Sequence, residues 1–163
     1  MIFKALALAA LLALPATAAI AGPAENQLLA RYEGEWRGTG KVTGPDPGTV
    51  VCRLTFKPSS AGKLGYTGRC SYSGSGTASF RGTIAYNDAA RAFEASSSAQ
   101  GASMRTVGKR VGGSIVFASA NTRTTHGTVS SIMTLARNSI KLGFTLVDRQ
   151  GRTSASSINF QKR

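Results

Sequence analysis

Histidine and tryptophan occur once each in this sequence, cysteine twice and proline five times, and only 7 acidic residues stand against 20 lysines and arginines. Each scarcity excludes something. A zinc site would need three or four His, Cys or acidic ligands; His126 is the single histidine, and a disulfide would consume both Cys52 and Cys70. Nucleophilic hydrolysis needs a base beside the nucleophile, and no G-x-S-x-G motif marks any serine. Facing carboxylates for glycosidic chemistry would have to come from Glu25, Glu33, Glu35, Asp46, Asp88, Glu94 or Asp148. Most of these fall at turns or at outward strand positions. Gly38-Thr39-Gly40 lies within a strand pattern rather than ahead of a helix, so it does not form a phosphate-cradling loop. The expectation is a non-catalytic protein without a metal. The hydrophobic share of 42% excludes general disorder, and 163 residues suit one domain with its own core.

Long apolar runs are absent except at the start. Lys4, the ten apolar residues 5–14, Pro15 and the small residues that follow read as a secretory signal. Two A-x-A sites end at Ala18 and Ala21, and the second is favoured. The run is too short for a bilayer span of about 20 residues, so no transmembrane segment is expected. No cysteine follows the cleavage point to carry a lipid. The division is therefore a signal peptide over 1–21 and a single β-barrel domain over 22–163, periplasmic or secreted. An oxidising compartment favours a Cys52–Cys70 disulfide over two buried thiols.

What the sequence has in quantity is alternation. From Trp36 onward apolar residues recur at period two, broken by turn residues every 8 to 12 positions, the pattern of an antiparallel sandwich or barrel. Val50, Cys52, Leu54 and Phe56 alternate with polar neighbours, as do Leu64, Tyr66, Gly68, Cys70 and Tyr72. If Cys52 faces Cys70, Phe56 faces Tyr66, Leu54 faces Gly68 and Val50 faces Tyr72. The loop left over, 59–63, has a length that hairpins commonly use. Cβ atoms of directly opposed residues lie roughly 4.5–5.5 Å apart, close to what a disulfide needs. Register, apolar face and disulfide agree. The pattern continues through Phe80, Ile84, Tyr86, Phe93, the weaker stretch 104–111, and on to Ile158 and Phe160, about ten strands in all. Only 23–32 suits a short helix, with Pro23 in its first turn. Short loops in series make an all-β, up-and-down antiparallel barrel of about 8–10 strands, which closes its own edges; a two-sheet sandwich is the alternative.

The inward set mixes glycines (Gly38, Gly40, Gly68, Gly82) with Phe56 and with Tyr66, Tyr72, Phe80, Tyr86 and Phe144. The last strand adds Ser154 and Ser156. Small residues at one level and aromatics at another would leave a cavity for a small amphipathic or apolar ligand. Tyr66, Tyr72, Phe80, Tyr86 and Phe144 are its candidate lining. Alternatively, the glycines merely let the sheet coil while the rings fill the interior.

Charge is lopsided. Residues 22–94 carry a net +3 and residues 95–163 a net +9. Arg105, Lys109, Arg110, Arg123, Arg137 and Lys141 are therefore candidate contacts for a polyanion, bound with salt-sensitive affinity. For an exported chain the nearest such partner is an anionic envelope component, lipopolysaccharide or acidic polysaccharide. A solvated outer face without a partner is the plainer alternative. No aromatic stacking motif favours a specific nucleic acid.

Gly34-Glu35-Trp36, at the opening of the first strand, resembles the G-x-W start of lipocalins and other calycin-type barrels, and the run through Gly40 is similar to the opening of bacterial ten-stranded calycins. The resemblance implies that Trp36 closes one end of the barrel against a basic residue near the last strand, Lys162 or Arg163. It also brings in heme, which some related barrels hold through a histidine in later strands. His126 is the one candidate here; a solitary histidine beside a turn is ordinarily solvated or hydrogen-bonded, and no cofactor is expected. Cys52 and Cys70 on adjacent early strands also resemble those of small periplasmic barrel inhibitors of proteases, though the second tryptophan of those domains is missing.

Overall fold

The computed structural model describes residues 21–74, 76–99 and 102–163. Of the expected signal segment, residues 1–20 lie outside the described residues. Helix α1 (Ala21–Ala30) leads into ten strands: β1 (Gly34–Thr43), β2 (Gly48–Pro58), β3 (Leu64–Tyr72), β4 (Gly76–Asn87), β5 (Ala92–Ala99), β6 (Ala102–Val111), β7 (Ser114–Thr124), β8 (Gly127–Leu135), β9 (Ile140–Asp148) and β10 (Thr153–Lys162). Every strand pairs antiparallel with its sequence neighbours, and β1 pairs with β10 to close the barrel. The architecture is all-β and up-and-down. No sandwich forms, because closure leaves no sheet edge to cover.

The β2–β3 hairpin has the register that the alternation implies: Val50 opposite Tyr72, Cys52 opposite Cys70, Leu54 opposite Gly68 and Phe56 opposite Tyr66. Cys52 and Cys70 form a disulfide with Cα atoms 4.1 Å apart. A 3₁₀ turn, Ser60–Gly62, fills the loop between the strands.

One end of the barrel is stoppered. The turns β2–β3, β4–β5 and β6–β7 all lie at this end, and α1 touches each of them. Asn26 packs beside Gly62, Gly22 beside Asp88, and Glu25 binds the Arg110 guanidinium at 2.9 Å. The helix runs two residues earlier than the 23–32 expectation at both ends. Arg31, Tyr32 and Glu33 instead donate to carbonyls three residues back, and Gly34 then turns the chain at φ 119°. That conformation is open to glycine at little cost. Beneath the helix, Leu29 and Tyr32 are buried, and the Tyr32 hydroxyl donates to Leu135 O at 3.0 Å. Trp36 is buried against them and donates from Nε1 to Tyr32 O at 2.8 Å. Lys162, opposite Trp36 in register, places Nζ 5.6 Å from the indole centroid and donates to Arg31 O at 3.0 Å. Arg163 uses its backbone N–H, on Glu35 O.

Candidate functional site

The inward glycines do not make the interior roomy. Each of four is opposed across a ladder by an aromatic residue whose ring covers it: Gly38 by Phe160, Gly68 by Phe80, Gly82 by Tyr66 and Gly108 by Phe117. A Cβ at Gly68 would lie 2.1 Å from the Phe80 ring, and one at Gly108 would lie 2.4 Å from that of Phe117. A flat ring laid over a glycine restores the packing that the missing side chain forgoes. Glycine therefore brings rings against the wall.

A cavity exists nonetheless, of about 780 Å³, in the half of the barrel away from α1. Its small residues are alanines and serines: Ala78, Ala95, Ser97, Ala99 and Ala102, from β4, β5 and β6. Opposite them stand Leu142, Phe144 and Leu146 of β9 with Met133 of β8. The lining is mainly apolar. Aliphatic hydroxyls on its border include those of Ser97, Thr106, Thr122, Thr124 and Ser131. The last strand does not contribute them, contrary to the sequence expectation: Ser156 is buried in the wall with Oγ unpartnered and does not border the cavity. Volume and lining fall in the range of small-molecule sites.

Tyr66, Tyr72, Phe80 and Phe144 all border this space. Tyr86 does not. It sits one level nearer the helix, its ring edge-on to Phe93 with centroids 5.0 Å apart, among the side chains that fill the closed end. Tyr66 connects the two levels: its ring is 5.7 Å from Phe56 and 6.3 Å from Phe80. Burial pushes the phenols of Tyr66 and Tyr72 above the usual tyrosine range, with a Ser97 hydrogen bond pulling Tyr66 partly back.

The cavity reaches solvent at the end opposite α1, where its border includes exposed Ser79, Arg123 and His126. His126 lies on the β7–β8 turn, its backbone N–H held by Thr124 Oγ1 at 3.2 Å, so the imidazole belongs to the mouth rather than the depth. The wall beside it is loosely joined. β6 and β7 are in register only over Gly108–Val111 against Ser114–Phe117, and toward the mouth they continue without registered pairs. β7 is irregular there, with Asn121 at φ 54° and a register shift between Ser119 and Thr122. A side-chain contact crosses the seam instead, Thr122 Oγ1 donating to Met104 Sδ at 3.4 Å.

Among the described residues no three His, Cys, Asp or Glu side chains gather in a metal-binding arrangement, and no helix is long and apolar enough to cross a membrane. The six cationic candidates do not form one patch. Arg123 is at the mouth, Arg137 on the β8–β9 turn at the other end, Lys141 on β9, and Arg105, Lys109 and Arg110 on β6. Arg110 is already engaged by Glu25. Two hollows indent the outer wall. One, of about 1090 Å³, runs over β7 to β10, β1 and β2; the other, of about 630 Å³, runs over β2 to β6.

A closed ten-stranded barrel with a helical stopper and a one-ended cavity has the architecture of calycin-like proteins. No family model matches the sequence. No curated protein matches it either. Solved structures do. The crystal structure of Rv2717c from M. tuberculosis superposes with a TM-score of 0.63 at 16% identity, over 84% of this chain and 96% of that one. The S-type phycobiliprotein lyase CPES from Guillardia theta gives 0.60 at 11% identity, over 85% of this chain and 92% of that one. At such identities the likeness is one of fold.

Proposed function

We propose that this protein is an exported, non-catalytic carrier that holds a small, partly apolar ligand inside its barrel. The observation that carries the reading is the cavity of about 780 Å³, closed by α1 and Trp36 at one end and bordered by Tyr72, Phe80, Met104 and Phe144 toward the other. An apolar body would bury against these side chains at roughly 25 cal/mol per Å². Ser97, Thr106, Thr122 and Ser131 offer hydrogen bonds to a few polar atoms, which orients a ligand rather than transforming it. Export is supported by the leader-like start and by the Cys52–Cys70 disulfide, a bond that persists in oxidising compartments.

The test is intact-mass spectrometry of protein purified from an expressing bacterium, first native and then denatured, with the absorbance spectrum recorded alongside. A small mass present in the native spectrum and released on denaturation is the expected result. A bare polypeptide that also fails to take up anilinonaphthalene sulfonate ends the carrier reading. A released heme with its characteristic absorbance would instead make His126, at the mouth, the first residue to substitute.

A further inference from the structure

The outer face of the first strands carries a feature that the net charge of the two halves conceals. Arg37 on β1 is directly opposite Arg53 on β2, and Arg53 is directly opposite Arg69 on β3. All three are exposed, on the outward side of strands whose inward neighbours are core. Directly opposed residues have Cβ atoms roughly 4.5–5.5 Å apart, and like charges placed so destabilise a sheet. Arg81 on β4 extends the line, opposite Thr67 and thus diagonal to Arg69. Among the described residues the ion pairs are Arg110–Glu25 and Arg152–Asp148, so none of these four arginines has a carboxylate partner. Glu35, two residues from Arg37 on the same face, pairs with neither Arg37 nor Arg53. Four unneutralised guanidinium groups in a line stand against sheet stability, and a bound anion would relieve the repulsion.

Beside the line, toward the helix end, lies the outer hollow of about 630 Å³, with Arg81 and Arg105 on its walls and Lys57 at one end. Hydroxyls pave it: Thr55, Thr67, Thr83, Ser96, Ser98 and Ser103. Of these, Thr83 and Ser96 bond each other at 2.9 Å. No outward position on this face carries an aromatic ring, so nucleic-acid bases have nothing to stack on. A groove also admits a chain and not a flat bilayer. Guanidinium groups pair bidentately with carboxylate or sulfate, and serine and threonine hydroxyls match sugar hydroxyls.

We infer that the groove and the arginine line together bind an acidic polysaccharide, with Arg37, Arg53, Arg69 and Arg81 on its anionic groups and the hydroxyl floor on its sugar rings. This site is separate from the cavity, and its failure would leave the carrier reading untouched.

The test is calorimetric titration of the mature chain with heparin at physiological salt, compared with polyphosphate and with phosphatidylglycerol vesicles. The triple variant Arg37→Gln, Arg53→Gln, Arg69→Gln is set against a control that removes equal charge elsewhere, Lys109→Gln, Arg137→Gln, Lys141→Gln. Heparin affinity is expected to fall at least about tenfold in the first and less than about threefold in the second, since each lost anion contact also removes part of the salt dependence. Thermal melting checks that both variants fold; relief of the like-charge line should leave the first at least as stable as wild type. Equal losses in the two variants would assign the binding to bulk charge and overturn the site. Polyphosphate or vesicles bound as tightly as heparin, through the same arginines, would overturn the polysaccharide assignment. Thr67→Val with Ser98→Ala supplies an independent readout. It should weaken heparin several-fold and leave polyphosphate unchanged, and equal effects on both would count against a sugar-reading floor.

Discussion

Beneath α1, the inward positions are Trp36, Phe56, Ile84, Phe93, Leu135 and Phe160, each at most 2% exposed. At the opposite end the same strands and their neighbours turn Tyr72, Ala78, Ala99, Ala102, Val129 and Ser154 inward, and none of these is fully buried. Apart from the register shift in β7 between Ser119 and Thr122, the alternation continues from one end to the other, and what changes is side-chain size. A barrel of fixed strand number has a fixed bore, so large residues at one level make a plug and small ones at another leave room. The plugged end also gains hydrogen bonds from Trp36 and Tyr32 and a cation over the indole. The open end has a poorly paired seam between β6 and β7. Dense packing is concentrated at one end and open space at the other, the arrangement expected where binding regions are drawn from the less stable parts of a fold.

Substitutions can sharpen or break that contrast. Trp36→Ala removes the plug and should cost about 3–5 kcal/mol in urea denaturation; a loss below about 1 kcal/mol would mean that the helix end is not where stability resides. Cys52→Ser unlinks β2 from β3 midway between the two levels and should cost about 2–4 kcal/mol. Reduction of the wild type should lower its melting temperature to match. Gly68→Ala drives a methyl group into the Phe80 ring and should cost about 1–3 kcal/mol, with Phe80 displaced in the mutant structure. Should it prove neutral, the ring does not rest on the glycine.

Ala95→Phe acts at the roomy level. It should leave stability within about 1 kcal/mol or raise it, because it fills space, while binding of anilinonaphthalene sulfonate falls about tenfold. If stability collapses and binding persists, the cavity is elsewhere. The smallest effect is that of alkaline pH. Tyr66 and Tyr72 have folded-state pKa values raised by burial above the usual 10.0. The native state therefore holds those protons longer than the unfolded chain does. Their contribution is fully present below pH 10 and is lost as pH rises through the folded values. Phenolate absorbance should show these two tyrosines titrating late, as Tyr32 does through its own burial, and Tyr66→Phe with Tyr72→Phe should flatten part of the alkaline decline.

Much of this was legible beforehand, and the β2–β3 hairpin shows why. Side chains alternate strictly across a strand, so one assumed contact, Cys52 with Cys70, determines every other pair in the ladder. The same rule sets Arg53 against Arg69, although the excess of net charge lies in the second half of the chain, whose cations the fold scatters. Arg37 was not legible in the same way, because no covalent bond pins β1 to β2. Tyr86 is a candidate ligand contact in the sequence because it faces inward, and facing inward does not specify a level along the axis.

By itself the sequence determined an all-β meander of about ten strands, the inward faces of its regular strands, one hairpin's register and its disulfide. These follow from a period of two and from local turns, both of which involve residues near in the chain. Only the tertiary structure decided which end is stoppered, that rings cover the glycines, that alanines and serines of β4, β5 and β6 make the cavity, and that β6 and β7 part near its mouth. Those properties depend on residues brought together around a closed circumference, and their positions along the axis are set by the stagger of ten ladders in sequence.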